Sequence, residues 1–169
     1  FFKLSAWNKK LLDVYKSNPS FILPVARKNE VVKFVEKGLK DLSVSRTSFS
    51  WGIPVPKNNK HIIYVWLDAL TNYLSALNYP DVSSDLYKNY WPADLHIIGK
   101  DILRFHAIYW PAFLLAAKID LPKKIYGHGW ILSNDEKMSK SKGNILDPLE
   151  IIEKYGLDPL RYYLIKEVS

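Results

Sequence analysis

Residues 135–144, with the sequence DEKMSKSKGN, combine three lysines and two serines in one short polar segment. Ammonium groups and hydroxyls alternate along it, and together they can bind phosphate oxygens through charge-assisted hydrogen bonds. Gly143 and Asn144 tolerate the positive φ angles of a tight reversal, and the lone Met138 can anchor one side of the segment on an apolar surface. A charged run can also be an ordinary solvent-exposed loop, so a phosphate-binding role requires a nucleotide site beside it.

A helix is predicted directly after the turn from Gly99 to Asp101, with Ile102, His106 and Trp110 spaced four residues apart. Successive side chains at this spacing rotate by about 40°, so all three fall on one face of the helix. Gly99 permits close approach of a ligand to the backbone, and Asp101 can cap the helix or accept hydrogen bonds from a ribose diol. The same pattern also fits a buried aromatic stripe with a core histidine and a simple N-cap.

A second aromatic group is predicted at the preceding strand-to-helix junction, where one side carries Trp66, Ala69, Leu70 and Tyr73. The small Ala69 between two large rings leaves a hole with aromatic walls. Two such walls at one sheet edge are typical of an apolar pocket with a few polar tips, which is how small-ligand sites are usually lined.

His128 lies between two glycines, so a planar base can approach the backbone there, although a glycine pair can equally mark a tight bend. Other chemistries lack their motifs. The four histidines show no metal-ligand spacing with carboxylates, and neither Gly-x-Gly-x-x-Gly nor a Walker loop occurs. The chain has no cysteine, which excludes a thiol nucleophile and fits a reducing compartment.

The hydrophobic pattern predicts a scaffold that brings these groups together. Short apolar strands at 62–66, 95–98 and 125–127 each precede a polar or glycine turn, residues 43–47 are extended, and 57–60 form a hairpin tip. Predicted helices cover residues 6–17, 29–40, 68–77, 102–117, 148–155 and 159–168. Continuous apolar strands separated by helices predict an α/β fold with a parallel sheet covered on both faces. Ligands bind beyond the carboxyl ends of such strands, around Trp66, the Gly99 turn and His128.

Composition narrows the partners. Apolar residues make up 48% of the 169 residues, so the chain can bury a core. No apolar run reaches the roughly 18 residues of a membrane span, and no membrane partner is expected. Lys and Arg exceed Asp and Glu by 24 to 17, a net charge of +7 that favours polyanions such as nucleotides or RNA.

Several of these motifs occur in a characteristic order, namely VWLDALTNY at 65–73, IGKDI at 98–102, Phe105-His106, Trp110-Pro111, His128-Gly129 and KMSKS at 137–141. In this order they resemble the methionyl-tRNA synthetases of the bacterial and organellar type, within the class I aminoacyl-tRNA synthetases. KMSKS alone fits several relatives, but the leucine, isoleucine and valine enzymes have a different tryptophan segment. The resemblance covers essentially the whole chain.

The resemblance implies a site that activates methionine with ATP, accompanied by Mg²⁺, and transfers it to tRNA(Met), in the cytoplasm or an organellar matrix. The methionine pocket would comprise Trp66, Ala69, Leu70, Tyr73, Ile102, His106 and Trp110. The ATP-binding residues would be Gly99, Asp101, His128, Gly129, Lys137, Met138, Ser139, Lys140 and Ser141. Lys137, Lys140 and Arg46 would be catalytic, with Lys140 binding the phosphates.

The implied fold is the second half of a Rossmann-like parallel sheet. Residues 1–40 would be a helical segment returning from an inserted connective domain, 41–132 the catalytic half-domain, and 133–169 the KMSKS loop with helices leading to an anticodon-binding domain. The class I motif His-x-Gly-His is missing from these residues, and no zinc ligands of the connective domain are present. We therefore expect a fragment of a longer chain, inactive by itself.

Two other hypotheses remain at this point. The chain could be a non-catalytic, basic RNA-binding module that kept a synthetase-like fold. A synthetase of another specificity is the third reading, against which the 65–73 segment argues.

Overall fold

The computed structural model describes residues 1–133, 136–138 and 143–168. The strands are β1 (Ile22–Leu23), β2 (Ser45–Arg46), β3 (Pro54–Val55), β4 (Asn58–Ile63), β5 (His96–Gly99), β6 (Ile125–His128), β7 (Leu132–Ser133) and β8 (Glu136–Lys137). The α-helices are α1 (Asn8–Ser17), α2 (Val25–Glu36), α3 (Val65–Ser75), α4 (Asp85–Tyr90), α5 (Trp110–Ala117), α6 (Pro148–Tyr155) and α7 (Leu157–Glu167).

A parallel sheet in the order β1-β6-β5 lies at the centre, which confirms the predicted α/β class. Ile22 is paired with Ile125 on one side of β6, and Gly99 with His128 on the other. Strand β1 was not predicted, because two residues between helices are too few to establish a hydrophobic pattern. Its pairing depends on a partner about a hundred residues away in sequence.

The predicted strand at 62–66 is wrong in its pairing and in its end. Strand β4 ends at Ile63 and pairs antiparallel with β2 and β3 in a second sheet. A tight turn with Lys57 at a φ of 63° joins β3 to β4, so the nearest partners are local. Val65 and Trp66 belong to the first turn of α3 instead. The predicted hairpin tip at 57–60 is confirmed at Lys57, whereas Asn58 to Lys60 already belong to β4.

One core joins the first 40 residues to the parallel sheet. Leu11 of α1 and Val35 of α2 are fully buried and pack in the same cluster as Ile98 and Ile125. The hydroxyl of Tyr15 donates a 2.6 Å hydrogen bond to the carbonyl of Ala107, which ties α1 to the helix that follows β5. Helix α2 begins at Val25, four residues before its predicted start, directly after the extended Pro24.

The opposite face of the sheet is less well covered. Residues of β5 alternate between buried and exposed, and Ile97 is 68% exposed. Leu164 and Ile165 of α7 line a cavity together with Ile97 on this face. The prediction that the sheet is covered on both faces therefore holds fully for one face and only partly for the other.

The helical stretch after β5 matches the predicted range 102–117 but is not a regular α-helix. It begins with a 3-10 turn at Lys100–Ile102, passes through a π-helical turn at Phe105–Tyr109 and continues as α5. π turns add one residue to a helical turn and are frequent at functional sites. None of the helices in the described ranges is long and apolar enough to cross a membrane.

Candidate functional site at the ends of β5 and β6

The hydrogen bond between Tyr73 and His106 joins α3 to the π turn. The Tyr73 hydroxyl lies 2.8 Å from Nε2 of His106, while Nδ1 of His106 lies 3.0 Å from the carbonyl oxygen of Ile102. A carbonyl can only accept, so Nδ1 carries the proton and donates to Ile102. In the neutral ring Nε2 then accepts from the Tyr73 hydroxyl. The backbone of Ile102 thus fixes the tautomer of His106 and the direction of the Tyr73 bond.

Tyr73 and His106 form one side of an aromatic wall, and Trp66 forms the other side. Its ring stacks on Phe105 with centroids 3.8 Å apart and an angle of 8°, and it meets the His106 ring edge to face at 6.1 Å. Adjacent residues of a regular α-helix point about 100° apart. In the π turn both Phe105 and His106 contact α3, which explains why spacing based on a regular helix identified His106 but missed Phe105.

The other predicted pocket residues differ in exposure. Trp110 is 2% exposed and lies 6.1 Å from the Tyr73 ring, within a buried cluster that also contains the fully buried Leu70. Ile102 is half-buried and takes part through its carbonyl, and Ala69 is exposed on α3. The structure therefore brings Trp66, Tyr73 and His106 together at one wall, with Leu70 and Trp110 packed behind it.

Burial keeps the ionisable groups of this cluster neutral. It lowers the pKa of His106, an effect that the hydrogen bond to Ile102 partly offsets, and it raises the pKa of the Tyr73 hydroxyl. His96, the first residue of β5, is 6% exposed, and burial together with the nearby His106 lowers its pKa to about 4. At neutral pH the rings of Tyr73, His96 and His106 are therefore uncharged.

The neighbouring carboxyl ends of β5 and β6 form the polar side of the site. Gly99 and His128 are register partners, and a Cβ atom added to Gly99 would meet the His128 ring at 3.9 Å. That distance is ordinary contact, so packing within the chain does not require glycine at this position. Gly127 differs, because an added Cβ would lie 3.2 Å from Leu103. His128 contacts the carbonyl of Gly129 at 2.6 Å through Nδ1, which leaves Nε2 on its other edge.

Asp101 accepts hydrogen bonds from a residue that sequence reasoning missed. The indole N–H of Trp130 donates to both carboxylate oxygens of Asp101 at 2.9 Å, and Lys100 lies 4.0 Å from the centre of the Trp130 ring. The 3-10 turn has no side-chain cap, so the alternative role of Asp101 as an N-cap is wrong. Asp101 is exposed at the same sheet edge as Gly99 and His128.

Arg46 occupies a separate position on the antiparallel sheet. Its guanidinium stacks on Tyr64 at 3.8 Å and donates to the carbonyls of Ser43 and Ser45 at 3.0 and 2.8 Å. A cavity of about 600 Å³ next to the start of α3 is lined in part by Arg46 and Asp68. No hydrogen bond or ring contact in the described ranges joins Arg46 to the aromatic wall.

Within residues 135–144, the lysine segment, the structure describes residues 136–138, 143 and 144. Lys137 belongs to β8, which pairs with β7, but its side chain lies outside the described part, as do Ser139, Lys140 and Ser141. Met138 is half-buried and lines a largely apolar cavity with residues of α6 and α7. Its role as an apolar anchor stays a prediction. Gly143 has a φ of 66°, as predicted for the reversal, whereas Asn144 is not in the positive-φ region.

No group of three or more His, Asp or Glu side chains is suitably placed to hold a metal ion among the residues that the structure describes. The described residues therefore offer no such cluster for a resident Mg²⁺ ion.

A parallel sheet with polar groups at the carboxyl ends of its strands is the arrangement of a nucleotide-binding α/β domain. The family model described as "tRNA synthetases class I (M)" matches residues 1–169, and the chain belongs to this family.

Relatives and solved structures agree with this family. The chain is 61% identical to a methionine–tRNA ligase of Brucella suis over 168 residues and 61% identical to one of Rickettsia felis over 169 residues, covering 99% and 100% of this chain. A crystal structure of Mycobacterium tuberculosis methionyl-tRNA synthetase bound by methionyl-adenylate is similar with a TM-score of 0.89, 57% identity and 99% coverage of this chain. The chain spans about a third of the length of these proteins, 32%, 33% and 33% respectively.

Proposed function

We propose that the protein to which these residues belong is a methionine–tRNA ligase. It activates methionine with ATP to methionyl-adenylate and then transfers the methionyl group to tRNA(Met). The observation that carries the proposal is the wall formed by Trp66, Tyr73 and His106 beside the polar ends of β5 and β6. The methionyl-adenylate bound by the similar M. tuberculosis protein contains one part suited to each side.

The aromatic wall is suited to a thioether side chain. Methionine is flexible and polarizable, and its sulfur makes favourable contacts with aromatic ring edges. Trp66 and Phe105 supply flat apolar surface, whereas the Tyr73 and His106 pair supplies polar atoms in a fixed orientation. Pocket shape must carry most of the selection, since one methylene group is worth only about 1 to 3 kcal/mol.

The polar side is suited to the nucleotide. The Asp101 carboxylate can accept from ribose hydroxyls, and Gly99 leaves the backbone open beside the His128 ring, where the base would lie. The predicted phosphate contacts come from the lysine segment, with Lys137 and Lys140 as cations and the hydroxyls of Ser139 and Ser141 as donors. Arg46 is the further cation assigned to the site by the resemblance.

In the proposed reaction a carboxylate oxygen of methionine attacks the α-phosphorus of ATP. A new P–O bond forms, the bond from the α-phosphorus to the oxygen bridging to the β-phosphate breaks, and pyrophosphate leaves with both electrons of that bond. A ribose hydroxyl at the 3′ end of tRNA then attacks the activated carbonyl and releases AMP. Neither step needs a covalent protein nucleophile, so positioning and charge stabilisation by the protein suffice. We place this activity in the cytoplasm or in an organellar matrix, the compartments in which the resemblance puts it.

The test is methionine-dependent exchange between ATP and pyrophosphate in the full protein that carries this sequence. Tyr73→Phe removes the hydroxyl bonded to His106 and should raise the methionine KM about tenfold, with the ATP KM within about twofold. Tyr87→Phe is the matched control, because Tyr87 packs against Tyr79 at 6.0 Å and outside this wall. Equal changes in both KM values would contradict the proposed methionine pocket.

The net charge of +7 also favours the alternative of a non-catalytic RNA-binding module. Such a module would bind RNA with a steep salt dependence and would show no saturable methionine site by calorimetry. Saturable methionine binding by the full protein would exclude it.

A further inference from the structure

His96 lies behind Tyr73 and belongs to none of the groups assigned so far. It begins β5 on the buried side of the strand and is 6% exposed. Its ring centroid is 4.2 Å from that of Tyr73 with an angle of 35°, whereas the rings of His106 and Trp91 are 6.2 and 6.4 Å away. Tyr73 is therefore the nearest ring that His96 contacts.

The orientation of the Tyr73 ring must be fixed, because its hydroxyl has to lie within hydrogen-bonding distance of Nε2 of His106. The ring is only half-buried, and its own centroid is 5.6 Å from that of His106 and 6.1 Å from that of Trp110. Groups that recognise a ligand must be held within about 0.5 Å of their working geometry by packed neighbours. Of the ring contacts described for Tyr73, the one with His96 is the closest.

The chemistry of His96 indicates that it acts through its flat ring. The groups facing it are Tyr73, Trp91 and His106, none of which is an anion that would keep it charged. Its Nε2 is buried and has no hydrogen-bond partner among the residues that the structure describes. We therefore expect the His96 ring to act on Tyr73 by packing and not through a hydrogen bond or a charge.

We propose that His96 is a positioning residue for methionine recognition, holding the ring of Tyr73 so that the Tyr73 hydroxyl reaches Nε2 of His106. This inference rests on the proposed function, since it assumes that the Tyr73 and His106 pair faces methionine. His96 touches no reacting atom, and its effect passes through Tyr73.

The proposal is tested by a double-mutant cycle in the full protein, with ATP–pyrophosphate exchange as the readout. His96→Ala removes the ring and should raise the methionine KM about tenfold, while kcat and the ATP KM change by less than about twofold. His96→Phe keeps a flat ring and should stay within about threefold of the wild type. In a Tyr73→Phe background, His96→Ala should add less than about twofold, because the hydroxyl that it positions is already gone.

A purely structural role predicts additive effects of His96→Ala and Tyr73→Phe, and this outcome would overturn the proposal. Trp91→Phe is the matched control, because Trp91 packs in the same buried cluster and contacts His96 at 6.4 Å. It should leave the methionine KM unchanged.

His96→Leu provides an independent test should the alanine variant not fold. It fills the space without a flat ring and should raise the methionine KM as alanine does, so a wild-type value would contradict the inference. If Tyr73→Phe raises the methionine KM and neither His96→Ala nor His96→Leu does, the inference fails and the proposed function stands. If Tyr73→Phe also has no effect, the proposed methionine pocket fails as well.

Discussion

The aromatic wall is packed from several elements, whereas the polar groups at the ends of β5 and β6 stand near solvent. Trp110 and Leu70 behind the wall are almost completely buried, and the rings of Tyr73, His96 and His106 contact one another. Asp101 on the polar side is exposed and Trp130 beside it is 44% exposed. One side of the site therefore belongs to the core of the protein, and the other does not.

This difference teaches how the two halves of a ligand can be recognised by different means. An apolar side chain is selected by shape, and shape requires tight packing around the wall. A nucleotide carries charges that a few exposed polar groups can bind without being part of the core. Variants on the wall should therefore change stability together with methionine recognition. Variants on the polar side should change ATP binding or the reaction rate and leave stability unchanged.

Trp110→Ala should have the largest effect. It leaves a cavity in the buried cluster, and losses of this kind cost about 3 to 5 kcal/mol of unfolding free energy. The urea midpoint of the full protein should fall, and the methionine KM should rise more than the ATP KM. An unchanged midpoint would contradict the assignment of the wall to the core.

Acidification should come next. The pKa of His96 is lowered to about 4 in the folded protein, so the unfolded chain binds a proton first as the pH falls. Above about pH 6.5 His96 is neutral in both states and the free energy of unfolding has its full value. Between about pH 6.5 and 4 the unfolded state is protonated preferentially, and the free energy of unfolding falls by roughly 2 to 3 kcal/mol. His96→Phe should lose less stability in this range by urea unfolding. A parallel loss in both proteins would argue against a neutral, buried His96.

Lys140→Ala tests the polar side. A charge-assisted contact to phosphate contributes about 1.5 to 3 kcal/mol, so the rate of ATP–pyrophosphate exchange should fall about 10- to 100-fold. The urea midpoint should not change. Lys60→Ala, which removes an exposed lysine from β4, is the control and should keep normal exchange. Normal exchange with Lys140→Ala would refute the role assigned to the lysine segment.

Asp101→Asn should have the smallest effect. It keeps the size of the side chain but removes the charge that would accept from the ribose, so the ATP KM should rise about tenfold. The methionine KM and the urea midpoint should stay near their wild-type values. Asp13→Asn, an exposed position on α1, serves as the control. A loss of stability with Asp101→Asn would break the distinction between the two sides.

Local patterns in the sequence predicted the parts of the site that depend on regular spacing. His106 and Trp110, four residues apart, both contact the Tyr73 ring. The predicted apolar strands are present as β5 and β6. Phe105 was missed because the π turn alters the faces of the helix, and sequence patterns do not reveal where such a turn forms. The signal that the sequence offered for Phe105 is the group of aromatic residues at 105, 109 and 110.

Long-range contacts limited the rest. His96 is one histidine in an apolar strand, and only the packing of α3 against β5 brings Tyr73 beside it. Trp130 contacts Asp101 from 29 residues away. The sequence pattern of β4 indicates a strand, but its antiparallel partners depend on the turn at Lys57.

The pairing of Ile22 with Ile125 has a consequence for the order of events during synthesis. Helices α1 and α2 leave the ribosome about a hundred residues before β6, the strand on which β1 is hydrogen-bonded. Contacts so distant in sequence form late and slow folding. Until β6 has been synthesised, the apolar faces of α1 and α2 that pack against the sheet stay exposed. They are binding surfaces for chaperones that act on nascent chains during that time.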